Sequence, residues 1–335
     1  MLRWQTIAAV VACVSAAPPS FLAVGPSETA GSYDLFNLNA AGAKTKVLLT
    51  FPVAAQEVAQ EGAFDCGRGY CLLLTQLPAT RQSVLRNFSF FTPALLGKYT
   101  LPFTATALVS NEAENDDDFY GLTVIADASK TPTTWTVARI GDAGRVTAVL
   151  DITAAVGPLG RVPAGGLAYC GAAVSRLFIS ISRRGAGAGD TDSLLTVDVA
   201  GARLVSSLAL NLPVLATTYA TCGGSEGALG VGGAMLVSSG PGRHAVVVGA
   251  LDQASGAFAP IDAADLPAAG AAAVPLDVTS VGSSVSPFSL SYSAVLCTGF
   301  NTPPCMLFVS FPAQGRGSAT LSKLDAVVYG ISEAF

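Results

Sequence analysis

Residues 111–121 read NEAENDDDFYG and bring Glu112, Glu114, Asn115, Asp116, Asp117 and Asp118 together in one short stretch. Carboxylate and amide oxygens are the hard ligands that Ca²⁺ prefers, and the ion takes about six to eight of them. These six residues form the candidate metal site, and Ca²⁺ is the one cofactor the sequence leaves open. The spacing is not that of an EF-hand loop, in which acids at alternate positions lead to a glycine at the sixth. Adjacent acids also have a plainer role as a solvated turn spread by mutual repulsion, and that role is the expectation favoured here. Asp190 and Asp192, in GAGAGDTDS, are read as a polar hairpin tip.

Other chemistries find little to work with. His244 is the only histidine of the chain. Ser-His-Asp catalysis, Cys-His pairs and multi-histidine metal sites all need histidine as base or ligand, so no catalytic residue is assigned. Ser225 lies in GGSEG, which fails the spacing of a nucleophile elbow. The glycine-rich GALGVGG (227–233) lacks the strand–turn–helix setting of a phosphate loop. Net charge is −5 and Arg183-Arg184 is the only basic doublet, so no nucleic-acid partner is expected.

The chain start reads MLRWQTIAAVVACVSAA: Arg3, then the apolar Ile7–Val14, then a small-x-small site at Val14-Ser15-Ala16. This is the pattern of a secretory signal over 1–16. The apolar run falls short of the roughly 20 residues of a membrane-spanning helix, and Pro18-Pro19 would end a helix there. A secreted chain without a membrane span in its mature form is the expectation. Cysteine usage agrees with an oxidising destination. Cys13 leaves with the signal, and Cys66–Cys71 and Cys297–Cys305 are spaced to close small loops, which leaves Cys170–Cys222 as the third pair. The alternative is that Cys170 and Cys222 are unpaired buried thiols. Asn87-Phe88-Ser89 is the single glycosylation sequon.

These residues must be positioned by strands. VLLTF, CLLLTQL, GLTVIAD, TWTVARI, RLFISIS and HAVVVGAL are short runs rich in β-branched and aromatic residues, separated by Gly, Pro, Asn or Asp. Long helices are not predicted; VAAQEVAQEG (53–62) is the one short candidate. The class is all-β. The runs also recur. Hairpins with Gly near the turn fall at Gly42, Gly97, Gly144, Gly201 and Gly256, 47 to 57 residues apart, with a degenerate last copy at Gly330. Between them lie paired strands whose turn usually begins with Cys, or with the acidic run. The strand before each glycine turn is expected near 33–38, 83–90, 133–140, 193–199, 244–251 and 319–324.

Four short strands per repeat of 40–50 residues is the pattern of a β-propeller blade. The architecture resembles propellers of about six blades (five to seven), loosely like those with YVTN or NHL-type repeats, and the resemblance covers 33–335 as one domain after a lead-in over 17–32. A β-sandwich pair or β-solenoid is the alternative. No WD dipeptide, kelch double glycine or Asp-box stands at the matching positions, so no family residue role is carried over. The repeat begins within a blade, which fits either a blade completed by both chain ends or a truncated gene. The resemblance implies a non-catalytic binding protein with a protein or glycan ligand at one end of the ring. A Ca²⁺-dependent hydrolase similar to the lactonase-type propellers and a structural coat protein are the other readings.

Overall fold

The computed structural model describes residues 21–38, 43–67, 69–89, 91–111, 119–162, 166–170, 175–181, 183, 193–209, 214–220, 231–240, 243–252, 258–265, 274–277, 291–296, 305–310, 318–324 and 329–333. Within them lie six four-stranded antiparallel sheets. The first holds β1 (Phe21–Pro26), β2 (Ser32–Leu38) and β3 (Lys44–Pro52), with β24 (Gly330–Glu333) added beside β1. The second is β4 (Val58–Gly67), β5 (Tyr70–Leu77), β6 (Gln82–Ser89) and β7 (Ala94–Leu101). The third is β8 (Thr104–Ser110), β9 (Phe119–Asp127), β10 (Thr134–Gly141) and β11 (Val146–Asp151). The fourth is β12 (Leu167–Cys170), β13 (Arg176–Ile181), β14 (Ser193–Asp198) and β15 (Arg203–Ala209). The fifth is β16 (Val214–Ala220), β17 (Val231–Gly240), β18 (Arg243–Asp252) and β19 (Phe258–Asp265). The sixth contains β20 (Val274–Asp277), β21 (Ser291–Leu296), β22 (Cys305–Ser310) and β23 (Ser318–Leu324), in the order β21-β22-β23-β20.

The first strands of the sheets, β24, β4, β8, β12, β16 and β21, neighbour one another in a closed ring. That is a propeller, not a sandwich or a solenoid. Closure comes from both ends of the described chain: β24 pairs antiparallel with β1, Val24 opposite Gly330 and Phe21 opposite Glu333. The third strands, β2, β6, β10, β14, β18 and β23, fall where the sequence repeat places them. The segment 17–32, read as a lead-in, holds β1, so the first sheet begins at Phe21.

Burial explains why these segments read as continuous apolar runs rather than alternating ones. Each blade packs against a neighbour on both faces, so its middle strands have no solvent side. In β5, β13 and β14 five consecutive residues are buried, whereas the outer strands β7, β11 and β15 are mostly exposed or half-buried. The core accordingly falls into seams between blades. Leu22, Val24, Leu35 and Phe51 of the first blade meet Phe64, Leu73 and Phe88 of the second. Leu72, Leu74 and Leu85 meet Ala105, Leu108 and Ile140 across the next seam. Leu122, Val124 and Val137 meet Leu177, Ile179 and Leu195 across the third.

Two local expectations change. The stretch 53–62 is not a helix: Glu57 donates its N–H to the Ala54 carbonyl, while the Ala54 N–H returns to the Glu57 carboxylate, which closes one turn before β4 begins. The inner strand has to continue through the ring, and that tertiary demand overrides helical propensity. The glycine turns also differ among themselves. Gly144 has φ +72 beside Ala143 at φ +54, a left-handed pair closing β10 onto β11. In the Gly201 turn the positive φ falls on Ala202 instead, and Gly97 lies inside β7 rather than in a turn. Gly42 and Gly256 lie outside the described residues.

Candidate functional site

Because successive strands run antiparallel, the turn after each first strand and the turn after each third strand lie at one end of a sheet. The remaining connections lie at the other. Short links from outer strand to next inner strand, such as 102–103 between β7 and β8, carry the same sense from blade to blade. At the first end, nearest the axis, stand the described strand ends Gly67 and Tyr70, Ser110 and Phe119, Cys170 and Arg176, Ala220 and Val231, and Leu296 and Cys305.

The foot of the acidic run is built from blades two and three together. Asn111 is buried, and its N–H donates to the Tyr120 carbonyl at 2.8 Å, so the hairpin is paired up to the last described residue before the acids. The Tyr70 hydroxyl, from the second blade, lies 2.7 Å from the Tyr120 carbonyl and 3.1 Å from that of Asn111. Its ring meets Tyr120 edge-on, centroids 5.2 Å apart. Asp65, on inner strand β4, accepts the Ser110 N–H and hydroxyl on Oδ2, both at 2.8 Å, and the Cys66 N–H on Oδ1 at 3.0 Å. Gly67 completes the approach: a Cβ there would stand 2.7 Å from the Asn111 carbonyl oxygen, so only glycine lets the two inner strands close. Glu112, Glu114, Asn115, Asp116, Asp117 and Asp118 themselves lie outside the described residues.

Cys66 and Cys71 are directly opposite on β4 and β5 and form a disulfide. Both are buried in the seam toward the first blade, so the bond faces away from Asp65 and packs beside Phe64 and Phe88. Cys170 ends β12, Cys305 opens β22, and Cys222 and Cys297 lie outside the described residues. Asn87 sits in the third strand β6, opposite Leu72 on one side and Gly97 on the other, with a buried Oδ1. His244 lies in β18 opposite Ser239.

On the other face of the second blade, toward the first, is a group that motif reading does not find. Glu57, whose side chain is 1 % exposed, faces the fully buried Arg86 with Nη2 at 2.6 Å from Oε2. That nitrogen is off a hydrogen-bonding angle, so the contact is an ion pair rather than an aimed bond. Arg86 Nη1 donates to Thr75 Oγ1 at 3.1 Å, Thr75 donates on to Glu57 Oε2 at 3.0 Å, and Lys98 Nζ reaches Oε1 at 3.1 Å. The Arg86 guanidinium also stands 5.8 Å from the Phe51 ring centre. Burial pushes the Glu57 carboxyl up, but the close Arg86 guanidinium, the Ala54 N–H and Lys98 outweigh it and hold the group below the usual carboxylate range. Tyr33 shares the cluster. Burial chiefly, with Tyr329 beside it, raises its hydroxyl above the usual phenol value.

Several other described carboxylates help to hold the scaffold. Asp34 accepts from Thr50 and Lys44. Asp127 accepts from Ser129, Asp151 from Thr153, and Asp198 from Gly201 and Arg203. Among the described residues no group of three His, Cys, Asp or Glu side chains is placed to hold a metal ion. Among them, too, no helix is long and apolar enough to cross a membrane.

Among the described residues these features define a β-propeller of six four-stranded blades, its ring closed by β24. No family model matches the sequence and no curated protein matches it. Solved structures do resemble it. A protein from Lactobacillus plantarum is 13% identical at a TM-score of 0.46, covering 92% of this chain and 82% of its own. The β-propeller domain of the Trilobed protease from Pyrococcus furiosus is 9% identical at a TM-score of 0.45, covering 92% and 78%. An oligogalacturonate lyase in complex with manganese is 11% identical at 0.41, covering 88% and 74%. At such identities these are likenesses of fold, and no activity is transferred from them.

Proposed function

We propose that the protein is an exported binding module that takes a protein or glycan ligand on the axial turns at the end bearing the acidic run. The observation that carries this reading is the foot of that run. Asp65, across from Ser110, is engaged by Ser110 and Cys66, and Tyr70 ties the hairpin to the next blade. The scaffold spends its polar groups on fixing where the turns emerge, and leaves recognition to turns of unrelated sequence, the division of labour usual for loops on a rigid frame. Export rests on the signal-like residues 1–16 and on the Cys66–Cys71 bond.

The test uses the secreted chain and a variant in which 112–118 is replaced by Gly-Ser-Gly between Asn111 and Phe119. Both are applied to a glycan array and used as bait against medium from the source cells. Capture by the parent that the variant loses supports the reading. The calcium-hydrolase reading is tested on the same two proteins with Ca²⁺ or chelator and a panel of lactones and esters. Ca²⁺-dependent turnover lost in D116N/D117N/D118N would replace the binding reading with that one.

A further inference from the structure

Five of the six outer strands are tied to their own blade. β3, β7, β11, β15 and β19 each follow the third strand of the same sheet through the short segments 39–43, 90–93, 142–145, 199–202 and 253–257. β20 is different. It passes from the rim of the fifth blade to the rim of the sixth and lies on β23, while the whole of β21 and β22 comes between the two in sequence. It is also thin. Its register is Val274↔Leu321, Pro275↔Thr320, Leu276↔Ala319 and Asp277↔Ser318, one of the four positions being a proline that has no N–H to donate. β23 continues through Ser322, Lys323 and Leu324, beyond the reach of that pairing.

The ring does not depend on this strand. From β23 the chain enters the first blade as β24, so the closure between β24 and β1 is complete whether or not β20 occupies the rim. The flanking sequences, LPAAGAAA (266–273) and VTSVGSSVSPFSL (278–290), are small-residue stretches without a charged side chain. An outer strand held by four residues, one of them a proline, makes few ladder bonds to its own β23, so exchanging it for the same strand of another copy breaks little and remakes the same register.

We propose that the outer edge of the sixth blade is a strand-exchange site, and that its second occupant is β20 of another copy of this chain. Two copies trade the segment reciprocally, each laying it on the other's β23, to give a twofold dimer. The edge of β23 selects a strand by register and face, and β20 is a segment whose fit to that edge the structure shows. Exchange of an identical element is a low-cost route to a dimer, since no new contact has to be created.

The experiment is cysteine trapping with the full secreted chain. Pro275→Cys and Thr320→Cys are made separately and together, because positions 275 and 320 are direct cross-strand partners. The two single variants are mixed, incubated at rising concentration, oxidised and mapped by peptide mass spectrometry. Neither single variant holds both positions, so any 275–320 link joins two chains. The expected result is that link, with a dimer fraction by light scattering that rises with concentration. In the double variant, oxidised while dilute, the link forms within one chain and the dimer fraction falls at least tenfold. The proposal is overturned if the double variant links while the mixed single variants do not and the parent is monomeric at every concentration. It is also overturned if a folded double variant, checked by circular dichroism, forms no 275–320 link at all.

Discussion

Removing one partner of the Glu57–Arg86 pair is the sharpest perturbation that the structure offers. Both side chains are sealed, at 1 % and 0 % exposure, between the first two blades. Taking away either charge strands the other in a dry seam, which costs roughly 3–5 kcal/mol, whereas replacing both with apolar residues is close to neutral or stabilising. With about 2.1 cal/mol/K of unfolding entropy per residue and a domain of roughly 300 residues, 1 kcal/mol corresponds to about 1.5 °C. E57Q and R86M should each lower Tm by about 5–8 °C, and E57L/R86M should return to within about 3 °C of the parent. Lys98, 44 % exposed, turns to water in the double variant. Thermal unfolding by circular dichroism at pH 7 reads all four proteins. The carboxyl is held below its usual range, so its contribution is complete above the ordinary carboxylate pKa and is lost as pH falls through the folded value. The gap between parent and E57Q should therefore narrow between about pH 5 and pH 3. Single variants that melt within 2 °C of the parent, or a double variant that melts as low as the two losses added, would refute the argument.

Three further outcomes follow from particular contacts. The Cys66–Cys71 bond closes a loop of sequence separation 5, and C66A/C71A should lose about 2 kcal/mol, about 3 °C in Tm, with an unchanged strand spectrum. Gly144→Ala adds a Cβ 2.6 Å from Tyr99 Cγ at a residue with φ +72, and should cost about 2–4 kcal/mol by urea unfolding; Y99A in the same chain should recover the steric part only. Asp65→Asn weakens the charge-assisted bonds to Ser110 and should cost about 1.5–3 kcal/mol, with faster amide exchange at Ser110 as the local readout.

The fold was legible because its rule is repetitive. The third strands precede turns and most middle strands are rich in apolar residues, so the repeat located β2, β6, β10, β14, β18 and β23 from the sequence pattern. What escaped was set by contacts across blades. Glu57 stands in a segment with helical propensity, and nothing nearby in sequence marks it as the partner of Arg86 and Lys98. Phe88 and Ser89 make Asn87 look like a modification site, but only the sheet shows that its Oδ1 is buried. Gly97 matched the turn spacing by position, yet it serves as the flat place beneath the Tyr99 ring. The stem of the acidic run is readable in hindsight as Tyr70 and Tyr120, two tyrosines following consecutive inner turns. The displaced β20 had no signal beyond the degenerate glycine turn after β23, where Gly330 instead opens β24.

The seating of β24 at the axis gives this molecule a form of quality control. Its innermost position in the first blade is filled by residues far from β1 in sequence, with the Tyr329 N–H bonded to the Val24 carbonyl and its ring against Tyr33. Without them, β1 has an open edge and the Glu57 seam lacks its neighbouring tyrosine. A chain that lost β24 would keep nearly all of its described strands yet expose a gap that runs to the axis. Proteases and chaperones would meet that gap only in an open ring, so one four-residue strand converts the presence of a distant segment into a visible difference in shape.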